Sequence, residues 1–287
     1  MGTKSNVIPR HPHPPRLGSR RPLPAGEAFF NRRFLLRAAS GVACVFTLAL
    51  CVSASSAPAA EPVVRVAIYA DGGISSKGPP NLERCLPAGK GFTTERVKAA
   101  DIRAGALEKF DVVIFPGGSG SKQAAALEES GREQVRKFVK AGRGYVGICA
   151  GAYLASADYT WSLHLLDAKV LDRKHWARGN GDVQLAISPC GREFLKVGAE
   201  PVTVRYAQGP LLAPGGKPEI PDYETLATFQ TEIAENGAPK GVMLGTTAAA
   251  RGTFGRGRVF CYSPHPEAKG DLDHYIQAAV RWAATAK

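Results

Sequence analysis

The chain has 287 residues, of which 44% are hydrophobic and 22% are charged. These proportions are typical of a globular protein, and they exclude a disordered chain and a bundle of membrane helices. The formal net charge is +12 at pH 7, but residues 1–60 hold eight Lys and Arg residues against one acid, Glu27, and so carry +7 of it. Residues 61–287 carry only +5 and contain no block of like charge, so we expect no nucleic-acid partner.

The first 60 residues have the layout of an export signal. An apolar run at 38–54 follows several arginines and precedes the small residues 55–60, which is the order of a secretory signal peptide. Residues 31–37 (NRRFLLR) resemble the twin-arginine consensus. We therefore predict a signal peptide at 1–60 with a disordered, basic, proline-rich n-region. Its partner would be the twin-arginine export machinery, and the destination would be the periplasm or another extracytoplasmic space.

An uncleaved segment that anchors the chain in the membrane is the alternative. The apolar run is short for a membrane span, and no later stretch of about 20 apolar residues occurs. We therefore expect cleavage near Ala60 and no stable membrane insertion of the mature chain.

From residue 61 onward, predicted strands alternate with helices. The β-branched or apolar runs that predict strands are 63–70, 111–115, 145–148, 183–187, 202–206, 225–229 and 258–263. The patterns that predict helices are 100–110, 121–141, 149–155 and 271–286. This alternation predicts one α/β domain at 61–287 with a mostly parallel sheet, and the β-rich middle predicts antiparallel additions. The glycine-rich residues 255–258 are interpreted as a hairpin turn.

The segment 147–151 (GICAG) is the thiol counterpart of the G-x-S-x-G nucleophile elbow, in which a tight strand-to-helix turn exposes the nucleophile. Glycines two residues before and after Cys149 keep the neighbouring backbone from clashing with that turn. A helix N-terminus also favours the thiolate form of a cysteine. We therefore predict Cys149 as a nucleophile, although a small buried cysteine is the simpler interpretation of such a residue.

A nucleophilic thiol needs a base and a site for the oxyanion. His265 follows the last predicted strand, and Glu267 stands two residues on, where it can orient the imidazole. The turn at Gly117 and Gly118 follows an earlier strand, and the backbone N–H groups of Gly118 and Ala150 are the predicted oxyanion hole. Because active sites of parallel sheets lie at the carboxyl ends of strands, these groups are expected to meet there.

At these residues the chain resembles the class I glutamine amidotransferase-like superfamily, through PGG after a strand, GICAG, and HPE near the C-terminus. It is similar in particular to the N-terminal domain of fungal biotin–protein ligases, through 147–154 (GICAGAYL), 206–210 (YAQGP) and 263–267 (SPHPE). The resemblance spans about 63–285. It implies a flavodoxin-like three-layer sandwich with a mostly parallel central sheet, and a Cys-His-Glu triad.

The chain departs from that superfamily at Tyr153, where enzymes that hydrolyse glutamine usually have Gln. Free glutamine is therefore not the expected substrate, and we expect no synthase partner. Tyr153 and Tyr206 are predicted to line the substrate pocket with Gly117 and Gly209, favouring a ligand with an apolar or planar part.

The resulting prediction is an exported, amidase-like thiol hydrolase that acts on an amide or related acyl bond of a small molecule or peptide. The alternative is a catalytically silent domain that binds a small ligand. The histidines His164, His175 and His274 have no metal-ligand spacing, so we expect neither a metal nor a cofactor. Two alternatives remain for the other cysteines of 61–287. Cys85 and Cys190 form a disulfide while Cys261 is a buried thiol, or all three are free thiols.

Overall fold

The structure is a computed structural model that describes residues 62–285, so the predicted signal peptide and its twin-arginine motif lie outside the described residues. The strands are β1 Val64–Tyr69, β2 Phe92–Val97, β3 Val112–Phe115, β4 Gly144–Ile148, β5 Ala168–Leu171, β6 Asn180–Ile187, β7 Val202–Ala207, β8 Leu211–Pro214, β9 Glu224–Phe229, β10 Thr247–Phe254 and β11 Gly257–Tyr262. The α-helices are α1 Gly78–Cys85, α2 Ala99–Arg103, α3 Gly120–Lys140, α4 Ala150–Ala155, α5 Pro189–Leu195 and α6 Asp273–Ala284.

The strands form one mixed sheet in the order β2-β1-β3-β4-β11-β10-β9-β6-β7, with β5 and β8 paired beside β10. The first five strands of that order are parallel to one another. The remaining pairs, from β11–β10 to β6–β7, are antiparallel. The predicted α/β class, with a parallel core and antiparallel additions, is confirmed.

Two apolar clusters cover the two faces of the parallel strands. Val66 and Ile68 of β1 face one cluster, which includes residues of α1 and α6. Ala67 and Tyr69 of the same strand face the other cluster, which includes residues of α2, α3 and α4. Strands buried on both faces explain why these segments are continuous apolar runs instead of alternating ones.

Local backbone geometry modified two predicted elements. The helix expected at 100–110 is divided, because Gly105 has φ of 89° and separates α2 from a 3₁₀ turn at Ala106–Lys109. Helix α3 is continuous in extent but kinked at Glu128, where φ is 57°. The predicted hairpin at 255–258 is confirmed, because Phe254 pairs with Gly257 between β10 and β11.

Strands β2, β5, β8 and β10 and helices α1 and α5 were not expected from the sequence. Strand β2 carries Thr93, Thr94 and Glu95 between two buried ends, so it lacks an apolar run. Within residues 62–285, no helix has the length and hydropathy needed to cross a membrane.

Candidate active site

Three neighbouring parallel strands bring the predicted residues to one edge of the sheet. Strand β3 leads into Gly117 and Gly118, β4 leads into Cys149, and β11 leads towards His265. The three strands are adjacent and share one direction. Their carboxyl ends therefore lie side by side, where parallel sheets form their sites.

Cys149 lies in a strained elbow between β4 and α4. Its φ is 51° and its ψ is −98°, a backbone conformation that side-chain-bearing residues rarely adopt. The Cys149 N–H donates to Tyr262 O at 2.8 Å, which ties the elbow to β11. A Cβ on Gly147 would lie 2.5 Å from Gly151 O, and one on Gly151 would lie 2.1 Å from Phe115 O. Both flanking glycines are therefore required by close backbone contacts, as expected.

His265 and Glu267 form a buried pair. His265 Nδ1 lies 2.7 Å from Glu267 Oε1, and the two side chains are 14% and 3% exposed. Arg84 fixes the backbone at Glu267, because its Nη2 donates to the main-chain oxygen of Glu267 at 2.7 Å. With Nδ1 donating to the carboxylate, the neutral imidazole presents Nε2 as an acceptor.

Two neighbouring groups act on the protonation of His265. Burial by itself would lower the pKa of His265, but the adjacent Cys149 and Glu267 raise this pKa well above its usual range. His265 Nε2 is buried and has no hydrogen-bond partner among residues 62–285. The charge of Cys149 and its hydrogen-bonding proximity both contribute to the raised pKa of His265, although the geometry of a full hydrogen bond to Nε2 is not reached in this structure.

The Cys149 thiol is covered. Its Sγ donates to Ala207 O at 3.4 Å, and the residue is 4% exposed. Ala207 ends β7, which stands four places from β11 in the sheet order. The antiparallel strands nevertheless bend back over the site, because His265 N donates to Arg205 O at 2.8 Å. The carbonyl oxygen of Ala207 thus closes the elbow.

The predicted oxyanion groups flank the elbow and the imidazole. A Cβ on Gly117 would lie 2.5 Å from His265 Cε1, so this turn packs directly against the imidazole ring. Within the described part of the chain, neither the Gly118 N–H nor the Ala150 N–H donates to an acceptor. Unpaired backbone donors at a strand end are the groups from which oxyanion holes are made.

The two predicted pocket tyrosines contact residues 207–209, the covering segment that begins at the Ala207 carbonyl over the thiol. Tyr153 Oη donates to Gln208 O at 3.3 Å, and Tyr206 Oη donates to Gly209 O at 2.8 Å. Burial raises the pKa of both tyrosines, so both hydroxyl groups stay protonated. Tyr206 is fully buried. Both side chains therefore hold the covering segment over the elbow. The predicted contacts of Tyr153, Tyr206 and Gly209 with a substrate stay predictions.

A groove of about 510 Å³ opens beside His265. Gly117, Ala207 and His265 line it, so it adjoins the covered thiol without including it. Three basic residues line it, Lys77, Arg205 and Lys269, and the sequence did not indicate them. They come from the N-terminal cap of α1, from β7 and from the segment after β11, and no shared motif connects them.

The other thiols among residues 62–285 lie outside the site. Cys85, Cys149, Cys190 and Cys261 are all free, so the structure contains no Cys85–Cys190 bridge. Burial raises the pKa of Cys85 and of Cys261. Among residues 62–285, no group of three or more His, Cys, Asp and Glu side chains has an arrangement that could hold a metal ion.

Sequence comparisons identify relatives of part of the chain. Residues 65–181 match the family model for the biotin-protein ligase N-terminal region, a segment that includes Cys149 but ends before His265. The subunit PdxT of pyridoxal 5'-phosphate synthase from Natronomonas pharaonis is 28% identical over 129 residues, which are 43% of this chain and 62% of that relative. The matched segment thus spans less than two thirds of the relative's length.

Solved structures match over a longer range at lower identity. A chain in the structure of PurLQS from Thermotoga maritima is 17% identical with a TM-score of 0.56, covering 77% of this chain and 99% of that one. A ThuA-like protein from Parabacteroides merdae is 13% identical with a TM-score of 0.51, covering 79% and 91%. Together, the sequence and structure comparisons identify a class I glutamine amidotransferase-like fold, whose residues 65–181 are similar to the N-terminal region of biotin-protein ligase.

Proposed function

We propose that this chain is an exported thiol hydrolase that cleaves an amide or related acyl bond of a small molecule or peptide. The glutamine amidotransferase-like fold indicates a hydrolase-type or amide-related function. The observation that carries the finer assignment is the buried His265–Glu267 pair, 2.7 Å apart, beside a cysteine held in a strained elbow. A nucleophile, a base and a group that orients the base are the parts such chemistry needs.

In the proposed reaction, His265 Nε2 takes the proton of the Cys149 thiol once Ala207 O has left the sulfur. The sulfur attacks the substrate's carbonyl carbon, and the N–H groups of Gly118 and Ala150 stabilise the resulting oxyanion. The carbon–nitrogen bond then breaks, and the imidazolium gives its proton to the departing amine. Water, deprotonated by His265, cleaves the thioester and releases the acid and the free thiol.

Selective alkylation tests this assignment. At pH 6 we expect iodoacetamide to label Cys149 of the full-length protein faster than it labels free cysteine, because a thiol with a pKa of about 8.5 is almost entirely protonated there. Site-resolved mass spectrometry gives the rate, and half-buried Cys190, whose sulfur contacts Ser188 Oγ and Thr225 O, is the internal reference. Labelling of Cys149 no faster than that of Cys190 would contradict the hydrolase assignment.

One observation favours the second candidate function, a silent small-ligand binding domain. The Cys149 thiol donates to Ala207 O and is only 4% exposed, so the covering segment blocks the attack. A segment that stays closed in the presence of ligands would leave a binding groove without chemistry. The same alkylation experiment separates the two, because a permanently covered thiol is labelled slowly.

The proposed hydrolase is not a glutaminase. Tyr153 occupies the position of the usual glutamine-contacting residue, and its hydroxyl is committed to Gln208 O. Leaving a buried polar group of the substrate unpaired costs about 1–3 kcal/mol. We therefore expect ammonia release from free glutamine to stay below about 1 s⁻¹, the lower edge of typical enzymes. A coupled ammonia assay measures it, and faster turnover would overturn this substrate class.

Export is the second part of the proposal. The motivation is the arginine pair at Arg32 and Arg33 ahead of a weakly hydrophobic run. Fusing residues 1–65 to a reporter that is active only when exported already folded should carry it across the membrane. Changing both arginines to lysine should abolish the signal, with Arg20→Lys plus Arg21→Lys as the matched control. Unchanged export after the first double substitution would indicate the general secretory route.

A further inference from the structure

We propose that the peptide between Ala207 and Gln208 rotates to uncover the thiol, and that the Gln208 N–H then donates to the Cys149 sulfur. This proposal rests on the proposed function and adds a further group to its reaction, because the N–H would contact the reacting atom. The arrangement in the structure, with Ala207 O over the sulfur, is called the closed state below, and the rotated one is called the turned state.

The residues on either side of this peptide are fixed. Tyr206 belongs to β7 and is fully buried, and its Oη donates to Gly209 O at 2.8 Å. A Cβ on Gly209 would overlap Ser263 O, so Gly209 lies directly against the chain that follows β11. Swinging the whole covering segment away from the elbow would break these contacts. Rotation of the one peptide between these residues uncovers the sulfur and keeps the contacts.

The Ala207–Gln208 peptide is weakly held. Its carbonyl oxygen, Ala207 O, accepts from Cys149 Sγ at 3.4 Å, and its N–H, on Gln208, donates to no acceptor within residues 62–285. The next carbonyl oxygen, Gln208 O, belongs to the following peptide and accepts from Tyr153 Oη. Among the described residues, rotation of this peptide plane therefore breaks only the weak hydrogen bond from the thiol.

The backbone at Gln208 favours the turned state. Its φ is 62°, in the left-handed region that glycine adopts freely and other residues adopt at a cost. Rotation of a peptide plane changes the ψ before it and the φ after it by about 180° each. The φ of Gln208 would become about −118°, which is ordinary extended backbone. The ψ of Ala207 would move from the extended to the helical range, and both are open to alanine.

The charge on the sulfur decides which side of the peptide it prefers. A thiol can donate to Ala207 O, but a thiolate has no proton to donate and repels the negative end of a carbonyl dipole. Once His265 has taken the proton, the turned peptide presents the Gln208 N–H to the sulfur. Hydrogen bonds to an ionised acceptor are stronger than those between neutral groups. Proton transfer and uncovering are therefore coupled, and the sulfur is exposed in its nucleophilic form.

A buried arginine provides a donor for the carbonyl that turns away. Arg178 is 1% exposed and pairs with Asp172 through Nη2, whereas its Nη1 is buried and has no hydrogen-bond partner among residues 62–285. Burial raises the pKa of Tyr153 and of Tyr206, and the charge of Arg178 opposes this rise. The guanidinium therefore lies near the two hydroxyls that hold the covering segment. In the turned state we expect Nη1 to donate to Ala207 O, because a buried carbonyl needs a partner.

Substitutions at position 208 test the rotation. Iodoacetamide labels Cys149 of the full-length protein at pH 6, and the rate is proportional to the fraction of molecules in the turned state. The reference is Gln208→Ala, which loses the side-chain amide but keeps a Cβ. We expect labelling about tenfold slower than this reference in Gln208→Gly, which tolerates the closed state, and about threefold faster in β-branched Gln208→Val. Lys196→Gly, at the left-handed C-cap of α5, should leave the rate of the unaltered protein unchanged.

Crystal structures of two Cys149 variants detect the rotation without the reaction. Cys149→Ser keeps a donor for Ala207 O and should retain the closed state. Cys149→Ala removes that donor, so we expect a negative φ at Gln208 and Ala207 O turned towards Arg178. A positive φ at Gln208 in Cys149→Ala would overturn the rotation.

The alkylation rates separate the rotation from the hydrolase assignment. If Cys149 is labelled faster than Cys190 but equally fast in Gln208→Gly and Gln208→Ala, the rotation is overturned and the hydrolase assignment stands. If Cys149 is labelled no faster than Cys190 while Cys149→Ala shows the turned state, the hydrolase assignment fails and the rotation stands.

Discussion

Replacing Gly151 with alanine is expected to lower the free energy of unfolding by about 3 kcal/mol, at the upper end of what overpacking a core costs. The added Cβ would lie 2.1 Å from Phe115 O and 3.0 Å from Phe115 Cβ. Neither atom can yield cheaply, because Phe115 O is backbone at the end of β3 and the Phe115 ring stacks between Tyr69 and Tyr145. Chemical denaturation followed by circular dichroism measures the change.

Gly198 provides the matched control. A Cβ there would meet no atom within 4 Å, and its φ is not in the left-handed region. Gly198→Ala should therefore change stability by less than about 1 kcal/mol, in either direction. Equal stabilities of the two variants would mean that the elbow is not packed against β3 as the structure has it.

His265→Gln is expected to slow alkylation of Cys149 at pH 6 by about 100-fold. Without the imidazole no group accepts the thiol proton, and an unassisted thiol of pKa about 8.5 is then less than about 1% thiolate. Glutamine retains a donor for Glu267, so the buried carboxylate is not left without a partner. The rate is measured with iodoacetamide, as for the unaltered protein.

The pH profile separates a chemical role of His265 from a structural one. Since Cys149 and Glu267 raise the pKa of His265, the imidazole holds a proton accepted from the thiol more tightly than an unperturbed imidazole would. We therefore expect the unaltered protein to react nearly as fast at pH 6 as at pH 8, whereas His265→Gln should recover rate as the pH rises. His274→Gln, at an exposed position of α6, is the control. A flat profile for His265→Gln would contradict the proton transfer.

Strands β1, β3, β4 and β11 of the parallel core were predictable because their residues are buried on both faces of the sheet. Strand β3 shows this, because all four of its residues, 112–115, are buried. A short continuous apolar run between turn residues is typical of a strand that is covered on both faces of a parallel sheet. Strand β2 and helix α1 were not predictable in this way. Their residues are partly exposed, and helix α1 has two prolines in its first turn, after Gly78, whose role as a helix start depends on the chain before them.

For the candidate site, local motifs were sufficient to bring Cys149, Gly118 and His265 to one edge. Each motif follows a buried strand, and parallel neighbours place their carboxyl ends together. The contact of Glu267 with His265 was also local, since two residues separate them along the chain. The reason for the glycines at 147 and 151 was anticipated too, because a tight elbow leaves no room for a Cβ.

By itself, the sequence determined the α/β class, the elbow around Cys149 and the pairing of His265 with Glu267, because burial periodicity and short-range spacing encode all three. Only the tertiary structure decided that Ala207 covers the thiol and that Lys77 and Arg205 line one groove. These contacts join segments more than 50 residues apart. They depend on how far the antiparallel half of the sheet curls over the parallel half, and that curvature is set by the packing of the whole sheet and not by any one segment.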